Sequence, residues 1–313
     1  MKILVVGAGR FGREHLSRLT KEGIELIVSD IATDVARMAA HDFNAAAWGQ
    51  DPIILMDKYM PDGCIIATST ASHVALAQAC LLRNIPVLLE KPVATTAAEA
   101  LILQQTEATS RAFVLPGHVL RFSKSHQAVS SIIRAGDIGK VLSVHSRRYR
   151  NDDHAHHYAE LDPILMTMIH DIDLALWFSG GEAISAYALR RPPELNRSAT
   201  FATLKDNKGG VWQLATAWTF PGNITSSDRV EILGSYGAIE LDVGRSISVY
   251  SNQIRVISID EEDPLTLEVN AFLSAVKDGV PPIEVGLTDA IQGLKAAGLI
   301  MRSLAQKDEP TCG

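Results

Sequence analysis

Residues 2–12 read KILVVGAGRFG, and this stretch decides the fold of the first part of the chain. The apolar run from Lys2 to Val6 is typical of a central parallel strand that is buried on both faces. Gly7, Gly9 and Gly12 then fit the pattern G-x-G-x-x-G and open a helical stretch. A glycine loop between a strand and a helix is the setting in which this motif cradles a dinucleotide.

Each glycine has a separate task in such a loop. Gly7 allows the tight turn, Gly9 leaves space for the pyrophosphate, and Gly12 lets the helix pack on the strand. Backbone N–H groups and the positive end of the helix dipole face the phosphates at the helix start, which here includes Arg10 and Phe11. A glycine turn in an α/β protein that binds no nucleotide is the weaker alternative, because strand, loop and helix are all present.

Asp30 follows the second apolar run, Glu25–Ser29, and so ends the second predicted strand. A carboxylate at this place accepts hydrogen bonds from the ribose hydroxyls of the adenosine and repels a 2′-phosphate. The sequence therefore predicts NAD as the cofactor, in preference to NADP.

Strands and helices keep alternating up to residue 116, which predicts βαβ units with right-handed crossovers and a doubly wound parallel sheet. The pattern predicts helices over 33–41, 73–83 and 96–110, and strands over 63–67, 86–89 and 112–116. Residues 1–118 are therefore predicted to form an NAD-binding Rossmann domain.

The pattern changes near residue 120. Helices are predicted over 123–134, 163–178, 265–277 and 287–304, and seven short strands fall between residues 185 and 259 with no helix among them. Such a run predicts an α+β domain with a mostly antiparallel open sheet. We predict that residues 119–313 form a substrate-binding and oligomerisation domain, and that the C-terminal helix packs back on the first domain.

The composition excludes several classes of protein. A hydrophobic content of 47% and a charged content of 21% are those of a folded globular chain. The formal net charge of -7 argues against a nucleic-acid partner, and no apolar run approaches the roughly 20 residues of a membrane span. The chain shows no signal-peptide layout, and Cys64, Cys80 and Cys312 form no CxxC pair, so a cytoplasmic protein without a disulfide framework is expected.

Two further motifs lie at the carboxyl ends of predicted strands, where open α/β sheets bind their ligands. They are ATSTASH over residues 67–73 and EKPV over 90–93. Together with GAGRFG, GHVLRF (117–122) and IHDIDLALW (169–177), they make the chain resemble the Gfo/Idh/MocA family of oxidoreductases, which includes glucose–fructose oxidoreductase and inositol dehydrogenase. The resemblance extends over essentially the whole chain.

The resemblance implies an NAD-dependent dehydrogenase that oxidises a secondary hydroxyl of a sugar, cyclitol, sugar acid or nucleotide sugar. It implies that Lys91 lies beside the nicotinamide and hydrogen-bonds the reacting hydroxyl, that the Lys91–Pro92 bond is cis, and that His170 is the general acid/base. An ammonium group there would stabilise negative charge that develops on the substrate oxygen. The other predicted cofactor contacts follow the same two strands: Thr68, Ser69, Thr70, His73 and Glu90.

The chain departs from the family near His170. Many members carry an aspartate four residues before the histidine, where this chain has Met166. A second carboxylate in the site would have to come from Asp171 or Asp173. Asp173 lies three residues after His170 and on the same side of a helix, so we predict that Asp173 orients the imidazole for catalysis.

The predicted substrate contacts depend on charge and on position in the chain. Arg147, Arg148 and Arg150 are either solvated charges on a strand or a site for an anionic substrate, for which the bidentate guanidinium is suited. Arg121 is the stronger candidate because it lies near the predicted domain junction. The predicted substrate-binding residues are His118, Arg121, Arg148, His157 and Met166.

A cluster of histidines, His154, His156 and His157, lies beside Asp152 and Asp153. Histidine clusters can bind zinc, but no matched third ligand and no HExxH spacing is present. A polar loop near the substrate opening is the favoured interpretation, and no metal is predicted.

Two other functions fit the same scaffold. One is a hydrolase or lyase that uses NAD to oxidise a sugar transiently and then returns the hydride. The other is a non-catalytic NAD-binding sensor, against which the presence of both Lys91 and His170 argues.

The open sheet of the second domain predicts self-association, because a large exposed apolar face usually marks an interface. Residues 211–214 and 218–220 are predicted to place their aromatic side chains on that face. The resemblance implies dimers or tetramers packed through this sheet, so a homodimer or homotetramer is predicted.

Overall fold

The computed structural model describes residues 1–20, 23–152, 162–194, 197–222, 224 and 226–306, with the backbone alone described for 192–194 and 197. The chain divides into two compact units. The first comprises Met1–Phe122 and Glu262–Ile291, and the second comprises Ser123–Glu261 and the chain from Gln292 onward. The assignment of cofactor binding to residues 1–118 and of substrate binding to residues 119–313 stays a prediction.

The elements alternate in the first unit and become mostly strands in the second. The strands are β1 Lys2–Val6, β2 Glu25–Ser29, β3 Ala47–Gly49, β4 Gly63–Ile66, β5 Val87–Glu90, β6 Val114–Gly117, β7 Val141–Asn151, β8 Ala183–Glu194, β9 Arg197–Asp206, β10 Val211–Phe220, β11 Arg229–Gly234, β12 Ala238–Asp242, β13 Ser246–Tyr250 and β14 Ile254–Ile257. The helices are α1 Arg10–Leu19, α2 Thr33–Asp42, α3 Pro52–Tyr59, α4 Thr70–Leu81, α5 Ala97–Glu107, α6 Lys124–Arg134, α7 Ile169–Ser179, α8 Pro264–Asp278 and α9 Leu287–Ala305. Within the described ranges, no helix has the length and apolar character needed to cross a bilayer.

In the first unit, the described residues form a six-stranded sheet with the order β3-β2-β1-β4-β5-β6. All of its strand pairs are parallel, which confirms the predicted Rossmann sheet. Strand β1 can occupy the centre because Ile3, Leu4 and Val5 are completely buried. The strand order reverses at β1, and ligands of such sheets bind outside the carboxyl ends of the strands at this point.

Helix α8 belongs to the first unit although it follows the second unit in the chain. Its Val269 and Phe272 are fully buried in one core cluster with Ile3 and Leu88 of the sheet. Glu268 on the same helix is also fully buried. An ionisable side chain therefore lies in the hydrophobic interior of the first unit.

In the second unit, the described residues form an eight-stranded sheet with the order β14-β13-β12-β11-β7-β10-β9-β8. Strands β7 and β10 are parallel and the other neighbouring pairs are antiparallel, which confirms the predicted mostly antiparallel sheet. Helix α7 packs on β7 and β10, and α6 packs on β12. The sheet residues that meet these helices are apolar and buried, among them Trp212, Val230 and Ile239.

The other face of this sheet carries exposed apolar side chains on β8 and β9. Tyr187, Leu189 and Phe201 are 53%, 57% and 53% exposed. The prediction that the tryptophans of β10 lie on this face is wrong, because Trp212 and Trp218 are 0% and 3% exposed. Side chains alternate along a strand, and both indoles fall on the side that the helices cover.

Candidate cofactor and catalytic site

The glycine loop leaves β1 and enters α1, as the motif predicts. Gly7 has a φ of +88°, and a Cβ there would lie 2.6 Å from the Ala67 carbonyl oxygen. A Cβ at Gly12 would lie 1.8 Å from the Gly7 carbonyl oxygen, so both positions require glycine for reasons within the chain. A Cβ at Gly9 would meet no described atom within 4 Å. Glycine at position 9 instead leaves space outside the chain, which fits the close approach of a pyrophosphate.

The start of α1 suits a phosphate group. Gly9 is the N-cap residue and has no side chain that could compete for the first N–H groups, and no acidic residue lies in the first turn. Arg10 and Phe11 beside it are exposed. The positive end of the helix dipole and the backbone N–H groups are therefore available to an anion, and the loop fits NAD.

Asp30 lies directly after β2 and is half-buried. Its Oδ2 accepts a hydrogen bond of 2.8 Å from the N–H of Ala8, and its Oδ1 accepts one of 2.9 Å from the N–H of Ala32. The first bond ties the carboxylate to the glycine loop. Because a carboxylate has about four acceptor positions, Asp30 keeps capacity for ribose hydroxyls.

The loop after β4 meets the glycine loop at the same edge of the sheet. The Thr68 methyl group would lie 2.9 Å from a Cβ at Gly7, and the Thr68 hydroxyl is 2.7 Å from that of Ser72. Ser69 is the N-cap residue of α4, and Thr70 is its first residue. Thr68, Ser69 and Thr70 therefore lie at the carboxyl edge of the sheet, where the cofactor is predicted to bind. Their contacts with the cofactor stay a prediction.

Lys91 follows the last residue of β5, at the carboxyl edge of the sheet. Its peptide bond with Pro92 is cis, as the resemblance implied. The Lys91 side chain is half-buried, and its backbone N–H donates to Glu90 Oε2 at 3.2 Å. A lysine at this edge is suitably placed to act on a ligand in the crevice.

Glu90 is buried beneath the lysine, at 6% exposure. His15 Nε2 lies 2.8 Å from Glu90 Oε1, so both carboxylate oxygens are engaged by the chain itself. Burial and the negative charge of Glu90 raise the pKa of Glu268, which favours the protonated form of that carboxyl group. This geometry gives no support to a direct contact between Glu90 and the cofactor.

His73 is 1% exposed and connects two loops. Its Nδ1 lies 2.9 Å from the Pro92 carbonyl oxygen, and its Nε2 lies 3.1 Å from the Thr68 carbonyl oxygen. Burial lowers the pKa of His73, so the ring is neutral at pH 7. The predicted cofactor contact of His73 is not supported, because both ring nitrogens face backbone oxygens.

In the second unit, His170 is the second residue of α7 and is half-buried. The helix ends at Gly180, whose φ of +61° gives a left-handed cap. Residues Ile164–Met168 directly before it form a π-helical turn, in which the N–H of Ile169 donates to the carbonyl oxygen of Ile164. Such turns are frequent at functional sites. The turn also changes the angular relation of Met166 to His170 from that of a continuous α-helix.

The carboxylate of Asp171 is part of a buried ion cluster. Arg148 donates to its two carboxylate oxygens at 3.1 Å each, and Ser146 Oγ donates to it at 2.6 Å. Arg148 also pairs with Asp228, which Arg150 contacts at 2.7 and 2.9 Å. Although burial opposes the shift, Arg148 and Arg150 lower the pKa of Asp228. Arg148 is 4% exposed, so its predicted contact with substrate has no support in this geometry.

Asp173 is 1% exposed and lies one turn after His170 on α7. Burial and the charge of Arg148 together lower the pKa of the neighbouring His126 to about 3, although Asp228 and Asp173 act in the opposite direction. Asp173 therefore carries its charge close to a neutral, buried imidazole. Its role as the orienting partner of His170 stays a prediction.

The other predicted substrate residues have different environments. His118 and Arg121 are 2% and 3% exposed. Arg121 donates to the Glu284 carbonyl oxygen at 3.1 Å and lies 3.5 Å from Asp289, so it holds a segment of its own unit. Met166 is half-buried in the π-helical turn. His157 and the rest of the histidine cluster lie outside the described residues.

Sequence reasoning missed the buried residues His15, His126 and Glu268. For two of them, the position in the sequence indicates that the side chain is buried. His15 lies three residues after Gly12, on the side of α1 that packs on the sheet. Glu268 lies between Leu265 and Phe272 at helical spacing, so it interrupts an apolar stripe.

The chain matches known proteins over most of its length. The sequence model described as an oxidoreductase family with an NAD-binding Rossmann fold matches residues 1–118, and the model of the GFO/IDH/MocA C-terminal domain matches residues 126–240. Inositol 2-dehydrogenase 2 of Saccharopolyspora erythraea is 33% identical over 192 residues, which are 60% of this chain and 56% of that relative. Inositol 2-dehydrogenase 1 of the same organism is 29% identical over 296 residues, covering 89% of this chain and 87% of that relative.

Solved structures share the fold. The scyllo-inositol dehydrogenase from Lactobacillus casei, solved with bound cofactor NAD(H) and scyllo-inositol, superposes with a TM-score of 0.84. The superposition covers 98% of each chain at 18% sequence identity. At that identity, the likeness bears on the fold alone.

Proposed function

The chain belongs to the Gfo/Idh/MocA family of NAD-binding oxidoreductases, and from this membership we propose that it is a dehydrogenase of a polyhydroxylated small molecule. The reaction is the oxidation of a secondary hydroxyl to a ketone. The observation that carries the proposal is the combination of a glycine loop suited to a pyrophosphate with Lys91 at the carboxyl edge of the same sheet. The relatives named inositol 2-dehydrogenase support a cyclitol as the first substrate to test.

In the proposed mechanism, two side chains act on the substrate hydroxyl. The glycine loop and Asp30 would hold NAD, which would supply the acceptor for the hydride from the carbon. Lys91 donates a hydrogen bond to the oxygen and stabilises the negative charge that develops on it. His170 accepts the hydroxyl proton. The chain thereby separates stabilisation of charge from transfer of the proton.

A substrate screen tests the proposal. The purified protein is incubated with NAD and with cyclitols, sugars, sugar acids and nucleotide sugars, and NADH is followed by its absorbance. Stoichiometric NADH with a cyclitol or a sugar supports the dehydrogenase. Product formation without net NADH would instead identify a hydrolase or lyase, and tight NAD binding without turnover on every compound would identify a sensor.

We predict that the enzyme prefers NAD to NADP because of Asp30. Replacing Asp30 with Asn should raise kcat/KM with NADP by about tenfold, since losing about 1.4 kcal/mol of repulsion corresponds to that factor. Asparagine keeps an acceptor for the Ala8 N–H, so the glycine loop stays in place. Steady-state kinetics with both cofactors measure the change.

The matched control is Asp30→Ala, which also loses the bond to Ala8 and should weaken binding of both cofactors. Ile31 is 89% exposed, and Ile31→Arg in the Asp30→Asn background should favour NADP further by binding its 2′-phosphate. A wild-type enzyme with higher kcat/KM for NADP would contradict the assignment.

We also predict a homo-oligomer that packs through the exposed face of the eight-stranded sheet. Leu189 and Phe201 are paired across β8 and β9, so they form one apolar patch. Phe201→Glu should reduce the mass in light scattering to that of one chain of 33.9 kDa, because a charge in the interface has no partner. Ile54→Glu on α3, also at an exposed apolar residue, is the control and should leave the mass unchanged. A wild type that is monomeric at micromolar concentration rejects the prediction.

A further inference from the structure

We infer that two buried histidines, His73 and His15, are positioning residues for Lys91. They hold the turn that carries the lysine from two helices, each of which begins at a predicted nucleotide-binding loop. The inference rests on the proposed role of Lys91. These two side chains hold Lys91 in a set position relative to both predicted cofactor loops.

The first connection runs through Pro92. The two ring nitrogens of His73 face two carbonyl oxygens, that of Pro92 at 2.9 Å and that of Thr68 at 3.1 Å. A neutral imidazole has a single N–H, and a lone pair facing an oxygen is repelled more strongly at the shorter distance. The proton therefore lies on Nδ1 and is donated to the Pro92 carbonyl.

This hydrogen bond holds the residue after Lys91. His73 is in the first turn of α4, which starts directly after Thr68 and Ser69. The side chain is 1% exposed, so the bond is made away from water, where it constrains the turn strongly. The place of the lysine is thus set relative to the loop that follows β4.

The second connection runs through Glu90, the residue before Lys91. His15 Nε2 donates to Glu90 Oε1 at 2.8 Å, and Glu90 Oε2 accepts the backbone N–H of Lys91 at 3.2 Å. His15 is fully buried on α1, and the Phe11 ring meets it edge-on at 5.3 Å between centroids. Lys91 is thereby tied to the helix that begins at the glycine loop.

The neighbouring charges favour this arrangement. Glu268 is fully buried beside Glu90, and burial together with the Glu90 charge raises its pKa. The raised pKa favours the protonated form of Glu268, so its carboxyl group adds little negative charge beside the Glu90 oxygens that accept from His15 and from the Lys91 N–H. Accurate placement matters because a shift of about 1 Å in a catalytic group can cost about 10²-fold in rate.

Paired amide substitutions at His73 separate positioning from simple packing. The side-chain amide of Asn reaches about the place of Nδ1 and can donate to Pro92, whereas that of Gln reaches about the place of Nε2 and can donate to Thr68. His73→Asn should keep kcat near the wild-type value with NAD and myo-inositol. His73→Gln should lower kcat by about 10²-fold while KM for NAD stays close to the wild type.

The lysine itself can be observed without turnover. Reductive methylation with 13C-formaldehyde labels the lysines, and Lys91→Arg identifies the NMR signal of Lys91. We expect the titration and chemical shift of that signal to match the wild type in His73→Asn and to move in His73→Gln. His15→Gln, which keeps a donor at Nε2, should preserve the signal, whereas His15→Leu should move it.

Thermal unfolding and calorimetric titration with NAD accompany each variant. An unmoved Lys91 signal in both His73→Gln and His15→Leu would overturn the inference, as would equal changes in His73→Asn and His73→Gln. In the Lys91→Ala background, His73→Gln should cause no further loss of kcat, because its effect passes through the lysine. An unchanged kcat in Lys91→Ala alone would reject the proposed function of Lys91, and the NMR result would still decide the positioning.

Discussion

Replacement of Lys91 by alanine is expected to lower kcat by about 10²–10³-fold, the usual cost of removing a donor that stabilises developing oxyanion charge. The Kd for NAD should stay close to the wild-type value. In the proposed function, dinucleotide binding depends on the glycine loop and Asp30, whereas the Lys91 ammonium group acts mainly on charge that appears in the transition state. Steady-state kinetics and calorimetric titration with NAD measure the two quantities separately.

Lys91→Met is the matched variant, because methionine keeps most of the aliphatic chain and removes the charge. It should lose as much activity as Lys91→Ala if the charge is responsible, and less if packing of the chain is responsible. Weaker NAD binding combined with unchanged kcat at saturation would show that Lys91 serves the cofactor and not the reacting oxygen.

The Rossmann part of the fold could be predicted because β1, the glycine loop and α1 are continuous in the sequence. Strand β3 and helix α3 were missed, although they complete the sheet and its cover. Strand β3 is three residues long, too short for a periodic pattern. Helix α3 did carry a start signal, since Asp51 accepts the N–H of Ile53 and Pro52 is the first helical residue.

The candidate site was predictable where a residue sits inside a local motif and was not predictable where a distant partner defines its role. The position of Lys91 at the carboxyl edge of the sheet was predictable because the residue directly follows a predicted strand. His15 and Glu90 are 75 residues apart, and no local pattern links them. Arg148 was predicted to bind substrate from its charge, but Asp171 and Asp228 occupy its guanidinium, and such pairing is decided by the fold.

In the open sheet, too, the sequence alone does not reveal which side chains the fold buries. Alternation within β10 indicates two faces but not which of them the helices cover. Trp212 and Trp218 were assigned to the wrong face for this reason, although the strand itself was predicted correctly. Trp218 Nε1 donates to Thr167 Oγ1 at 2.9 Å, and this buried hydrogen bond holds the Trp218 side chain on the face that the helices cover.

Replacement of His170 by alanine should lower kcat/KM by about 10²–10⁴-fold, the range that general acid–base catalysis contributes. In the wild type, kcat/KM should rise with pH as the imidazole loses its proton, because only the neutral ring can accept the hydroxyl proton. In His170→Ala that rise should disappear. A variant that retains near-wild-type kcat on the true substrate would reject the mechanism.

Asp173 and Asp171 then form a matched pair of tests for the orienting carboxylate. Asp171 is held by Arg148 and Ser146, so Asp171→Asn should lower the melting temperature without displacing the pH profile. Asp173 lies one turn from His170 on α7, and its charge favours a protonated imidazole. Asp173→Asn should therefore displace the rise of kcat/KM to lower pH. A profile that does not move in Asp173→Asn would remove Asp173 as the partner while leaving His170 as the base.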